Sequence, residues 1–537
     1  MIFISGCGAP PEPVVQENAN STQTGEVIYP VVYGGTLVDS AGANPVSLNP
    51  LLTNDTASGA VTGMVFDGLL SYDDNYALRG DLAESWEVSA DGMNISFRLR
   101  KGVKWHDGVE FTAEDVKFTY QKMIDPKVDA PFRSRFVIID SIEIIDPYDL
   151  RVHYGKPFSP GLERWVFPII PKHILENEDF NSSSFNQKPI GTGPYRFVEW
   201  IPDDRVILKV NQDYFAGKPF ISQWIIRIMP DNSMAFLSLK RDELDLMGLT
   251  LDQYVKQVDS EEFRKMFNVY HYPRGDVFHY VGYNFLKPIF QDRRVRRALT
   301  MAIDRQKLID EIFYGYGQIT TGPFSMKAWA YDKNIKPWPY SPEQARVLLS
   351  EAGWKPGPDG ILERDGKKFE FEVILSGPDK TREMIANAIA SYWESVGVKA
   401  HLKTMEWSVF LKALKEKNFD ATLGAWSVGP EPDHYHIWHS SQIPDVAKEK
   451  AGSNYISYSN PEADRLWDEG RATFDMQKRR EIYGKIHALL HEDQPYTFLF
   501  VKESIVAVNK RVKGVTITPS GLNESKFWYI PEELRKY

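Results

Sequence analysis

Phe369-Glu370-Phe371-Glu372-Val373-Ile374-Leu375, then Arg382 to Val396, then Val398-Lys399-Ala400-His401-Leu402-Lys403, is the stretch that decides the fold class. The first and last runs read as strands. Between them Ile385, Ala388, Ile389 and Tyr392 recur at helical spacing, and Gly397 ends the helix. A further helix over about Ser408 to Lys417 and a strand from Phe419 to Trp426 follow. Strands alternating with helices predict a mostly parallel sheet and an α/β fold. Such sheets bind ligands just beyond the carboxyl ends of their strands. Trp426-Ser427-Val428-Gly429-Pro430 is therefore the first candidate site.

Upstream, Asp292 caps a predicted helix with Val295, Ala298, Leu299, Ala302 and Ile303 on one face. Ser341-Pro342-Glu343-Gln344 starts another, which stops at Gly353. The first half reads differently, as short strands between turn residues. Ile28 to Tyr33 is predicted as the first strand, with order beginning near Val27. Glu84 to Val88 and Asn94 to Arg100 flank the turn Asp91-Gly92, and Thr112-Ala113-Glu114-Asp115 opens a helix.

The 537 residues suffice for two to four domain-sized units. With 14 Trp, 26 Tyr and 30 Phe the chain has ample core material and rings to spare for a pocket. A net charge of -10 without a basic stripe argues against nucleic acid as a partner. No apolar run reaches the ~20 residues of a membrane-spanning helix. The single cysteine excludes an intramolecular disulfide and a cysteine-based zinc site. It is Cys7, and Ile4-Ser5-Gly6-Cys7 resembles the lipobox of bacterial lipoproteins, whose cysteine carries the lipid. Gly8-Ala9-Pro10-Pro11-Glu12-Pro13 and the polar residues to about Gly25 read as a flexible tether. Only Met1-Ile2-Phe3 precede the motif, too little for a charged and an apolar leader region, so a longer leader is expected upstream.

Several segments, in order, carry a wider resemblance. They include Ser47-Leu48-Asn49-Pro50, Phe66-Asp67-Gly68-Leu69 and Leu82-Ala83-Glu84-Ser85-Trp86. Leu99-Arg100-Lys101-Gly102-Val103-Lys104-Trp105-His106-Asp107-Gly108 runs into Phe111-Thr112-Ala113-Glu114-Asp115-Val116. Gly191-Thr192-Gly193-Pro194-Tyr195, Asp292-Arg293-Arg294-Val295-Arg296-Arg297-Ala298, Ala302-Ile303-Asp304-Arg305, Ala345 to Trp354 and Pro432-Asp433 complete the set. From about Thr36 to Val508 the chain resembles the family 5 solute-binding proteins, the oligopeptide- and dipeptide-binding receptors of bacterial ABC importers. The resemblance implies a two-lobed periplasmic-binding-protein-like clamp (type II, cluster C) with an extra subdomain in the first lobe. After a leader and tether over 1–26, it implies lobe I over roughly 27–286 with the subdomain at about 70–190. Lobe II follows over roughly 287–504, and 505–537 returns to lobe I. It also implies a monomer without cofactor, held to the membrane by its lipid on the extracytoplasmic side, in the periplasm or at the outer face. Such a protein passes a small-molecule or peptide ligand to permease subunits.

For the site, the resemblance places Trp426 in the cleft, with Ser427 and Gly429 as hydrogen-bonding neighbours. In the best-known peptide receptors an aspartate shortly after this tryptophan pairs with the peptide ammonium. Here Val428 and Gly429 occupy that stretch, and the nearest acids are Glu431 and Asp433. A buried ammonium without a carboxylate is costly, so Glu431 is the substitute candidate unless the ligand binds another way or has no free amine. Tyr280, Tyr283 and Trp329 are further aromatic candidates, the two tyrosines just before the first lobe crossing. His436 and His439, in His434-x-His436-x-x-His439, are spaced to share a helical face and form a weaker metal candidate. Ala425-Trp426-Ser427-Val428-Gly429 lacks the first glycine of a nucleophile elbow, so a serine hydrolase ranks below a receptor for an oligosaccharide or a nickel chelate.

Overall fold

The computed structural model describes residues 29–53, 55–275, 277–377, 379–446 and 452–536. Cys7 and the tether lie outside the described residues. The first strand is Thr36–Ala41, and Tyr29 to Tyr33 form no strand. That run has no neighbour to pair with, whereas Thr36–Ala41 runs parallel to Gln223–Ile228 along its whole length.

In lobe I a four-stranded sheet runs in the order Thr36–Ala41, Gln223–Ile228, Arg205–Val210, Tyr195–Ile201. A second, antiparallel sheet of Ala83–Val88, Asn94–Leu99, Asp149–Tyr154 and Ile139–Asp146 builds a subdomain. Helix Ala113–Ile124 accompanies it. The side chains of Thr112 and Asp115 cap its first turn reciprocally, and Val116, Tyr120 and Met123 point inward.

Lobe II is organised by the sheet Lys399–Met405, Glu370–Ser376, Ala421–Ser427, Val277–Tyr283, Tyr496–Phe498. Its first three strands are parallel in spirit and in register, Glu370–Ser376 pairing with both neighbours. Helix Lys380–Glu394, capped by Asp379, buries Ile385, Ala386, Ile389 and Trp393. The buried stripe is thus turned slightly from the expected one, leaving Ala388 and Tyr392 partly buried. Trp393 draws the helix round, because its indole N–H donates to the Leu299 carbonyl at 2.9 Å.

The lobes are joined by two chain crossings. Strand Phe500–Asn509 is continuous across both: Phe500 to Lys502 pair with Gly317–Ile319, and Glu503 to Asn509 with Phe267–Pro273. The other crossing lies between Pro273 and Val277. It therefore precedes Val277–Tyr283, which belongs to the lobe II sheet through seven pairs with Ala421–Ser427.

The subdomain rests directly on lobe II. Ser159 Oγ donates to the Gly470 carbonyl at 3.2 Å. Gly92, with φ +69°, turns tightly over Phe474, whose ring would lie 2.6 Å from any Cβ there. Glycine is required at that position by backbone conformation and by space alike.

Candidate ligand-binding cleft

Strand Ala421–Ser427 begins in the core and ends in the cleft. Ala421, Thr422 and Leu423 are buried, whereas Ala425 and Ser427 are exposed. On one side it pairs with Val277–Tyr283 throughout. On the other it meets Glu370–Ser376 only from Ala421 to Leu423. Gly424 to Ser427 thus have no strand neighbour on that side among the described residues. This is an open backbone edge at the carboxyl end of a central strand, where the alternation of strands and helices places a site.

Trp426 stands on that edge, half-buried. It is near-parallel to Tyr280 (6.5 Å between ring centres) and to Tyr455 (6.2 Å), and edge-on to His436 (6.3 Å). Its indole N–H donates to the Tyr496 hydroxyl at 3.1 Å, which fixes the ring's rotation. Behind it Tyr280 and Tyr496 stack at 3.9 Å. Burial holds both phenols well above their ordinary value, so both keep their protons. Ser427 and Gly429 are exposed beside Trp426, and Val428 between them is turned into the core.

Three of the candidates take other roles. Tyr283 is fully buried and its hydroxyl shares a 2.6 Å hydrogen bond with Thr497. It is a core residue of lobe II. Glu431 is gripped by two nitrogens of Arg479, so its carboxylate already has a cation. Asp433, with 5% of its side chain exposed, lies between Arg471 (3.3 Å) and Arg164 of the subdomain (3.6 Å). It joins the lobes. Trp329 is half-buried, against Tyr483 (5.2 Å) and under the Arg479 guanidinium (5.1 Å), next to the Glu431 pair rather than to Trp426.

The expected histidine pair does not form. The helix spans only Tyr435–Trp438, so His439 leaves it in extended conformation. His436 faces Trp426, while His439 stacks on Tyr435 (4.2 Å) and accepts the Ser441 N–H at 3.0 Å. Among the described residues no cluster of three metal-ligating side chains occurs.

Lobe I supplies charged residues near His436 that the sequence pattern does not single out. Arg135 is exposed, lies over the Phe132 ring at 4.7 Å, and has no ion-pair partner among the described residues. Its charge and that of Arg164 both act on His436 across the cleft. The charged pair Glu163-Arg164 lies in the apolar turn Ser159–Val166. Two ionic residues inside Gly161-Leu162-Glu163-Arg164-Trp165-Val166-Phe167 were the available signal.

Two α/β lobes, two crossings, and an aromatic cleft at a strand end define a solute-binding clamp. The sequence profile described as bacterial extracellular solute-binding proteins, family 5 Middle, matches residues 77–444, and the chain belongs to this family. The oligopeptide-binding protein AppA of Bacillus subtilis is 32% identical, with 98% of this chain and 96% of that protein covered. Its structure in complex with a nonapeptide superposes with a TM-score of 0.75 at 30% identity, covering 93% of this chain and 100% of the other. NikZ from Campylobacter jejuni, in complex with Ni(L-His), gives a TM-score of 0.76 at 30% identity, covering 92% and 99%. Among the described residues no helix is long and apolar enough to cross a membrane.

Proposed function

We propose that the chain captures peptides in the cleft between its lobes and delivers them to the permease subunits of an ABC importer. It does so outside the cytoplasmic membrane, by binding without turnover, as a monomer tethered through a lipid on Cys7. The open edge at Gly424 to Ser427 carries this reading. An extended guest can add its own N–H and C=O groups there, gaining affinity from backbone while side chains project into looser space. Trp426 forms the apolar wall beside that edge, and Ser427 and Gly429 offer hydrogen-bonding groups. The relatives that bind oligopeptides support the same class of guest.

Glu431 is not the amine partner in this reading, because Arg479 already holds it. Arg135 instead offers a charge-assisted contact to a guest carboxylate. The guest then enters with its carboxylate end recognised and its amine end in solvent. A nickel chelate is the alternative guest, favoured by His436 beside Trp426 and by the Ni(L-His) complex of NikZ.

Mass spectrometry of small molecules released on denaturing protein purified from cells tests the reading. A heterogeneous set of short peptides is the expected result. Release of nickel with a chelator, or of one sugar, would keep the clamp and discard the peptide assignment.

A further inference from the structure

Beside the cleft, the contact between the lobes contains a carboxyl group that ligand capture does not use. Glu163 lies in the subdomain turn Ser159–Val166, immediately before Arg164. Its Oε2 is buried and has no hydrogen-bond partner among the described residues. The charges that act on it are those of Arg164 in its own turn and of Glu431 and Arg479 in lobe II, and each of these belongs to a further pair. Arg164 is engaged with Asp433, and Asp433 is shared with Arg471 of helix Pro461–Ala472. Glu431, in the loop after Ala421–Ser427, is held by Arg479 of helix Met476–Asp493. Tyr483 on the same helix lies against Arg479 at 5.3 Å. Arg164, Arg471 and Arg479 each already have a carboxylate. An ionised Glu163 would therefore stand in the closed interface beside Glu431 with no cation of its own.

We propose that closure of the clamp is proton-linked through Glu163: its carboxyl enters the lobe–lobe interface beside Glu431 in the neutral form, so a proton is taken up on closing and released on opening. Burial first, and then the Glu431 charge, push the Glu163 carboxyl up to about 9 in the closed form, against the opposing pull of Arg479 and Arg164. Burial raises Glu431 as well, but Arg479 grips both of its oxygens. The proton of this pair of carboxyls therefore resides on Glu163. With the lobes apart, Glu163 is hydrated and returns toward its ordinary value of 4.5. A group whose value is higher in the closed state favours closure fully below the open-state value. That advantage declines as pH rises, by up to about tenfold in the closing constant per pH unit, until the closed-state value is passed. At neutral pH the clamp thus closes with uptake of close to one proton. A rise in pH favours opening.

The test uses ligand-free protein, so it stands apart from the peptide reading. Small-angle X-ray scattering is recorded from about pH 5 to about pH 9.5 on the wild type and on Glu163→Gln, which keeps the shape of the neutral acid. The wild-type radius of gyration is expected to grow across this range as the lobes part, while Glu163→Gln keeps the compact value throughout. Glu431→Gln frees Arg479 to pair with Glu163 and should flatten the pH dependence too. A wild-type radius that does not change with pH, or the same rise in Glu163→Gln, overturns the proposal.

Discussion

Arg164→Gln and Asp433→Asn, alone and together, probe the ion pair that joins the subdomain to lobe II. The charges are 3.6 Å apart, with 18% and 5% of the side chains exposed. At an effective dielectric constant of about 20, Coulomb's law gives roughly 4–5 kcal/mol for that separation. Desolvation removes much of this, and at 3.6 Å between Arg164 Nη2 and Asp433 Oδ2 the approach is longer than a hydrogen bond. A net contribution of about 1–2 kcal/mol to closure remains, which is on the order of tenfold in affinity. Isothermal titration with a nonapeptide reads it. Arg164→Gln should weaken binding about tenfold. Asp433→Asn should weaken it more, because it also strands Arg471, which lies over Phe158 (4.8 Å) and Tyr435 (4.0 Å). The double variant should bind little worse than Asp433→Asn alone, with a coupling of about 1–2 kcal/mol. Additive effects, with a coupling below about 0.3 kcal/mol, would refute the claim that this pair holds the lobes together.

Trp426→Ala removes the apolar wall at the open strand edge and should weaken peptide binding by about 10- to 100-fold while lowering Tm little; unchanged affinity in titration calorimetry would take Trp426 out of the site. His487 is buried between Thr321 and the Asp332 N–H, which donates to its Nδ1 at 3.1 Å. Burial first, and then His491, push its imidazole down from 6.5 to about 4. Its contribution, on the order of 3 kcal/mol, is therefore present above pH 6.5 and lost as pH falls towards 4. Thermal melts over that window should show a fall in Tm that His487→Gln makes shallower; an equal slope in both proteins would contradict it. Cys7→Ser in the full-length precursor should move the protein from the membrane fraction to the soluble fraction and abolish labelling by a fatty-acid analogue, and retention with label would exclude lipidation at Cys7.

Much of the architecture is legible in local pattern. The run from Phe369 to Lys403 reads as strand, helix, strand because apolar residues alternate in the two strands (Phe369, Phe371, Val373; Val398, Ala400, Leu402) and recur at 3.6-residue spacing in the helix between them. Caps are legible for a local reason too: Asp292 and Ser341 each accept a backbone N–H two or three residues on, and Asp115 accepts the Thr112 N–H three residues back. The site is legible only where topology implies it. Trp426 is singled out as a candidate because a parallel sheet opens at the carboxyl ends of its strands. Tyr283 is missed as a core residue because nothing local distinguishes a tyrosine facing the core from one facing a cleft. His436 and His439 mislead because the helix they seemed to share lasts a single turn.

The sequence by itself determined the fold class and the family. These follow from periodicity, caps and segment order, which act over a few residues at a time. Tertiary structure alone decided where the chain crosses between lobes and which charges are free. Strand pairing assigns Val277–Tyr283 to lobe II. Arg479, 48 positions along the chain, occupies Glu431. Arg164, from the other lobe, shares Asp433 with Arg471. Arg135 is left without a carboxylate. The availability of a charge depends on which distant partner packs against it, and no spacing along the chain records that.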